Sequence, residues 1–219
     1  LRIYSKGLRM QTNSGHPALT KYDSIILASK SPRRLDILRG HGIEPILIPC
    51  DVDETLPAET DYIDAVRLLS ERKALAATSL PALENIRGRA LLIASDTVVY
   101  NDEIMGKPRD RDDAFRMLSS LRNSIHFVAS GVTLVEIDGG TPLLDGRKNF
   151  AEVTEIICKD YSDSDIKEYI NTGEPFDKAG SYAIQGGFRK YISAIRGDYE
   201  NVVGLPYNRI IAELEQMRL

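Results

Sequence analysis

The sequence predicts a mixed α/β protein of the α+β kind, with one mixed sheet and helices packed against it. Three observations carry this. From Ser24 to Leu121, short apolar runs rich in β-branched residues alternate with segments of helical period. After that, two long strand patterns face each other across Gly139-Gly140, which requires antiparallel pairing. A further hairpin is expected around Gly197-Asp198. A doubly wound parallel sheet would keep alternating to the end, and this chain does not.

The elements follow in order. Ser24-Ile25-Ile26-Leu27-Ala28-Ser29 reads as a buried strand. Ser31 is a good N-cap, Pro32 suits a first helical position, and Gly40 and Gly42 end the helix. Glu44 to Pro49 reads as a second strand, and Asp51 to Thr60 as an acidic loop. Thr60 is expected to cap a helix from about Asp61 to Thr78, with Val66, Leu69 and Ala76 near one face. Ala90 to Tyr100 is a strong strand, and Glu103 to Gly106 returns beside it. Asp110 opens a helix that ends near Leu121. His126 to Glu136 and Gly146 to Cys158 form the long antiparallel pair. Ser162 caps a fourth helix that Gly173 closes, and Glu174 to Gly187 is a glycine-bearing loop. Phe188 to Ile195 and Tyr199 to Val203 make the expected hairpin, and Tyr207 to Met217 a final amphipathic helix.

The 219 residues suit one substantial core. A single domain is expected over residues 24–219, with residues 1–23 as a flexible, basic and polar extension. That extension has no apolar core of the kind a secretory signal carries, and no apolar run approaches membrane-spanning length. With two cysteines as well, a reducing cytoplasmic setting is expected. Two cysteines and three histidines exclude a disulfide scaffold and leave little for a Cys/His zinc site or a Ser-His-Asp triad. A formal charge of -4 and the absence of Trp argue against a nucleic-acid polymer as partner. Chemistry here must rest on carboxylates, lysines and arginines.

Four places concentrate such groups. Ser29, Lys30, Ser31, Arg33 and Arg34 sit where a strand meets a helix N-terminus, a ready anion site; a capped helix with solvated arginines fits the same pattern. Asp96 lies inside an apolar strand, where a carboxylate is costly unless it is paired or binds a cation. Its readings are metal ligand, general base or buried structural Asp. Asp51, Asp53 and Glu54 form the acidic loop, and one of them could complete an oxygen-ligand shell for Mg²⁺. Lys73 and Lys107 are candidate phosphate lysines, Lys107 being aimed by Gly106 and Pro108. In Ile184-Gln185-Gly186-Gly187, the Gln185 amide could read a base edge. No GxGxxG, Walker A, HExxH or GxSxG pattern is present.

These segments, in this order, resemble the Maf family of nucleoside triphosphate pyrophosphatases. The carriers are Ala28-Ser29-Lys30-Ser31-Pro32-Arg33-Arg34, Asp53-Glu54, Arg72-Lys73-Ala74, Ser95-Asp96-Thr97-Val98-Val99 and Gly106-Lys107-Pro108-Arg109. Glu174-Pro175, Asp177-Lys178-Ala179-Gly180, Ile184-Gln185-Gly186 and Asn201-Val202-Val203-Gly204-Leu205-Pro206 complete the set. The resemblance implies an elongated, twisted mixed sheet with two lobes around a cleft, related to the inosine-triphosphatase fold. It implies hydrolysis of a nucleoside triphosphate to monophosphate and pyrophosphate with a divalent cation, Mg²⁺ or Mn²⁺. By that likeness Asp96 is the base, and Glu54, Lys73 and Lys107 complete the catalytic set. Glu54 and Asp96 would hold the metal, and Ser29, Arg33 and Arg34 the phosphates. Arg33, Thr97 and Gln185 match positions that set base preference, and Thr97 resembles the dTTP/UTP branch. A homodimer is implied by likeness only. Two other functions stay open: a 7-methyl-GTP-preferring pyrophosphatase, and a nucleotide-binding regulator of cell division with little turnover.

Overall fold

The computed structural model describes residues 16–216, which form seven strands and six α-helices. The strands are β1 (Ser24–Leu27), β2 (Ile46–Leu47), β3 (Arg89–Asn101), β4 (Glu103–Met105), β5 (Ile125–Asp138), β6 (Thr141–Cys158) and β7 (Ile192–Arg196). The helices are α1 (Pro32–Gly40), α2 (Tyr62–Thr78), α3 (Arg111–Leu121), α4 (Asp163–Asn171), α5 (Tyr199–Val203) and α6 (Tyr207–Gln216). The sheet order is β2-β1-β3-β5-β6-β7, with β4 added on β3. β1 is parallel to both β2 and β3, and every other pair is antiparallel, so the predicted mixed sheet is present.

Alternation along the strands sends side chains to two faces. Ile25, Leu27, Leu91 and Ile93 join the larger core with α1, α3, α4 and α6. Ile26, Leu92 and Ala94 face the other way, against Ala74 and Ala77 of α2. Gly131 in β5 lets α2 come close. A Cβ built there would lie 2.0 Å from the Val66 carbonyl oxygen.

Three expectations need correction. Tyr199–Val203 is a helix and not a hairpin strand, because the Asp198 carboxylate accepts from the Glu200 and Asn201 amides and caps it. Of the expected Phe188–Ile195 strand, Gly187–Tyr191 is a 3₁₀ helix, and the strand that remains, β7, pairs with β6 instead. Cap chemistry here overrides the strand propensity of Tyr and Val. Asp61, not Thr60, caps α2, accepting from the Ile63 amide at 2.7 Å. The extension ends earlier than Asp23: Pro17–Leu19 is a 3₁₀ turn, and Ala18, Leu19 and Tyr22 are buried in the larger core. The expectation for residues 1–15 lies outside the described residues.

The topology opens a gap. β1 pairs with β3 over Ala90–Ile93, and β4 pairs with the same strand over Val99–Asn101. Between them β3 has no strand partner on that side among the described residues. Ser95, Asp96, Thr97 and Val98 fall in this interval, where the carboxyl end of β1 also points. Crevices at such breaks in a sheet are where α/β proteins place ligands.

Behind the gap, buried His126 on β5 bonds the Tyr182 hydroxyl through Nε2 at 2.8 Å. Burial pulls its pKa from 6.5 down to about 4. The unfolded chain therefore takes up this proton at a higher pH than the folded one. Stability should fall by about 1.4 kcal/mol per pH unit from this group between those two values as pH drops. Acid titration of urea midpoints should show a flatter profile in His126→Gln than in the parent over that window.

Candidate active site

The site begins where β1 gives way to α1. Ser31 caps α1 in an extended conformation and makes no side-chain capping bond, so no side chain of the cap occupies the first-turn amides. Ser29 Oγ accepts from the Ser31 amide at 3.1 Å and from Arg34 Nη1 at 3.1 Å. Arg34 also donates from Nε to the Gly204 carbonyl at 2.8 Å and from Nη2 to Thr97 Oγ1 at 3.0 Å. Burial lowers the pKa of this guanidinium, and the Asp96 charge opposes that shift. Arg34 is thus a half-buried cation whose donors tie α1 to β3 and to the residue after α5. Arg33, one residue earlier, reaches outward to Asp177 Oδ2 at 3.0 Å.

Across the gap, Asp96 is only 8% exposed and forms an ion pair with Lys73 of α2. The same ammonium lies 2.9 Å from Glu54 Oε1. Two carboxylates from separate segments therefore share one cation. Arg72 fixes the loop that brings Glu54 in, donating to the Asp53 and Thr55 carbonyls at 2.8 and 2.7 Å. Because neighbours on a strand point oppositely, Asp96 faces α2 while Thr97 faces Arg34.

Lys107 follows β4 on a loop whose Gly106 carbonyl accepts from the Gly180 amide at 3.1 Å. It makes no ion pair among the described residues, unlike the other cleft lysines Lys30, Lys73 and Lys178. Glu174 organises the segment that carries Gln185. Its carboxylate accepts from the Tyr169 hydroxyl at 2.9 Å and the Gly187 amide at 3.1 Å, and its carbonyl accepts from Lys178 Nζ at 2.8 Å.

Ser29, Arg33, Arg34 and Thr97 all line one cleft of about 1030 Å³. So do Glu54, Lys73, Asp96, Lys107 and Gln185. The cleft also holds groups and pairings to which the sequence assigns no role of their own. Lys178 is one, and the pairing of Lys30 with Asp51 at 2.6 Å is another. The Gly204 carbonyl is a third, accepting from Arg34, Ser95 and Thr97 together. Beneath it, buried Asn201 donates to the Val128 carbonyl and Thr154 Oγ1, both at 2.9 Å. The apolar Asn201-Val202-Val203-Gly204 run was a signal for this wall, but a carbonyl leaves no mark in a sequence.

Residues 24–217 match the family described as Maf-like protein. The chain belongs to this family. Among curated relatives of this Maf-like protein is a dTTP/UTP pyrophosphatase of Geobacter sp. (strain M21). It is 40% identical over 195 residues, covering 89% of this chain and 95% of the relative. Another dTTP/UTP pyrophosphatase, from Agathobacter rectalis, is 41% identical over 203 residues, covering 88% and 97%. Among solved structures, the Staphylococcus aureus Ham1 protein superposes with a TM-score of 0.42 at 13% identity, over 88% of this chain and 98% of that one. No helix among the described residues is long and apolar enough to cross a membrane.

Proposed function

We propose that this Maf-like protein hydrolyses nucleoside triphosphates, dTTP and UTP foremost, to the monophosphate and pyrophosphate. The relatives named dTTP/UTP pyrophosphatase support the substrate class. The observation that carries the chemistry is the convergence of Asp96 and Glu54 on Lys73, at the unpaired edge of β3 and opposite the arginines of α1.

In this reading water attacks the α-phosphorus and Asp96 takes its proton. The bond from that phosphorus to the bridging oxygen breaks, and its electron pair leaves with pyrophosphate. Lys107 and Arg33 stabilise the developing charge, and Arg34 holds Ser29 and Thr97 in place. Glu54 and Asp96 both reach the Lys73 ammonium, and carboxylate oxygens suit Mg²⁺ or Mn²⁺. These two carboxylates would hold such an ion, which neutralises phosphate charge and acidifies water when bound. Cys50 is no rival nucleophile, since burial raises its thiol pKa and its Sγ donates to the Lys73 carbonyl. A small-molecule substrate rather than a nucleic-acid polymer is supported by the formal charge of -4.

The test is pyrophosphate release over a panel of normal, deoxy, methylated and deaminated triphosphates, with the preferred substrate repeated in ¹⁸O water. The label should enter the monophosphate. Label confined to pyrophosphate overturns attack at the α-phosphorus, and a panel with no turnover overturns the enzyme reading.

A further inference from the structure

Several cations of this cleft are held by the protein's own carboxylates, Lys107 and Arg34 excepted. Lys30 is held by Asp51, and Lys73 by Glu54 and Asp96. Asp177 stands apart because it holds two cations from opposite walls. Its Oδ2 accepts from Arg33 Nη1 at 3.0 Å, and its Oδ1 pairs with Lys178 Nζ at 2.5 Å. The Asp177 carbonyl adds a longer contact to Arg33 Nη2 at 3.4 Å. The two partners sit on α1 and on the segment before β7, 144 residues apart for the Arg33 pair.

The carboxylate is 64% exposed, while Lys178 is 15% exposed and Arg33 30% exposed. An exposed ion pair of this kind is weak and exchanges readily. A phosphate group offers the same two cations more charge and more acceptor oxygens than one carboxylate does. When a polyphosphate enters, Asp177 must yield its partners; when a product leaves, it takes them back.

We infer that Asp177 is a resident competitor for the phosphate site, a positioning residue that holds Arg33 and Lys178 between turnovers and speeds discharge of the pyrophosphate product. The assignment to a product rests on the pyrophosphatase reading, but the competition itself is a binding property. It can be measured without turnover.

The probe is inorganic pyrophosphate with a metal chelator present, titrated by calorimetry into the full chain. Asp177→Asn keeps the side-chain shape and removes the competing charge. It should bind pyrophosphate roughly three- to tenfold more tightly than the parent. Asp53→Asn is the control, because Asp53 lines the same cleft but its carboxylate accepts from the Thr55 amide and holds no cation by an ion pair. Its gain should stay below about twofold. In an Arg33→Ala background the gain from Asp177→Asn should shrink. Unchanged pyrophosphate affinity in Asp177→Asn overturns the inference, as does a gain equal to that of Asp53→Asn or one that persists undiminished without Arg33. If the affinities shift as expected while no triphosphate is hydrolysed, the competition stands and the pyrophosphatase reading fails. In an active enzyme, Asp177→Asn should also show stronger inhibition by added pyrophosphate, by a similar factor.

Discussion

Asp96→Asn should reduce pyrophosphate release by about a thousandfold or more, in the upper part of the range expected for removing a general base. The amide has the same shape, and its oxygen can still accept from Lys73, which retains Glu54 at 2.9 Å. What is lost is the proton acceptor and one of the two charges around the shared cation. The protein should remain folded, with a circular dichroism spectrum and melting temperature close to those of the parent. A fully active Asp96→Asn protein would remove the base from the mechanism and leave only the binding half of the reading.

A second large effect is expected at Gly131→Ala, which touches no candidate site residue by its own chemistry. The ladder sets Gly131 directly opposite Asp96. An added methyl there would meet the Val66 carbonyl oxygen at 2.0 Å, its carbon at 2.3 Å and the Arg67 amide nitrogen at 2.7 Å. These are backbone atoms of α2, so no rotamer change can relieve the contact. Overpacking of this kind costs about 1–3 kcal/mol, and rigid backbone on one side places this site near the top of that range. The relief open to the protein is a shift of α2, and Lys73 travels with it. A displacement near 1 Å at a catalytic group can lower turnover by about a hundredfold. Urea denaturation and kcat/KM measured on the same preparation should fall together. Unchanged stability in Gly131→Ala would show that α2 is not held at this spacing.

The strand from Ala90 to Tyr100 was legible because a dense apolar run with one carboxylate has few other meanings, and the same contrast singled out Asp96. Pro32 marked the start of α1, as its fixed φ suits a first helical position. Tyr199 to Val203 misled because its residues favour strands, while the deciding interaction is a single cap from Asp198. The buried turn at Pro17–Leu19 was hidden among polar neighbours, since three apolar side chains make no pattern until a core exists to receive them. The charges of the cleft were legible, but their partners were not. Arg33 and Asp177 lie 144 positions apart, and only the fold brings them together.

The bond from Arg34 to the Gly204 carbonyl spans 170 positions, from near one end of the described chain to near the other. That span governs assembly as well as geometry. During synthesis α1 emerges early, yet its guanidinium cannot be buried with its partners satisfied until α5 has been made and docked. This contact is far less local than the hairpins β3–β4 and β5–β6, and contacts of that separation carry the larger closure cost. A nascent chain stopped before Gly204 would carry Asp96, Lys73 and Glu54 but lack the carbonyl that holds Arg34. The Arg34 wall of the cleft thus needs residues from both halves of the described chain.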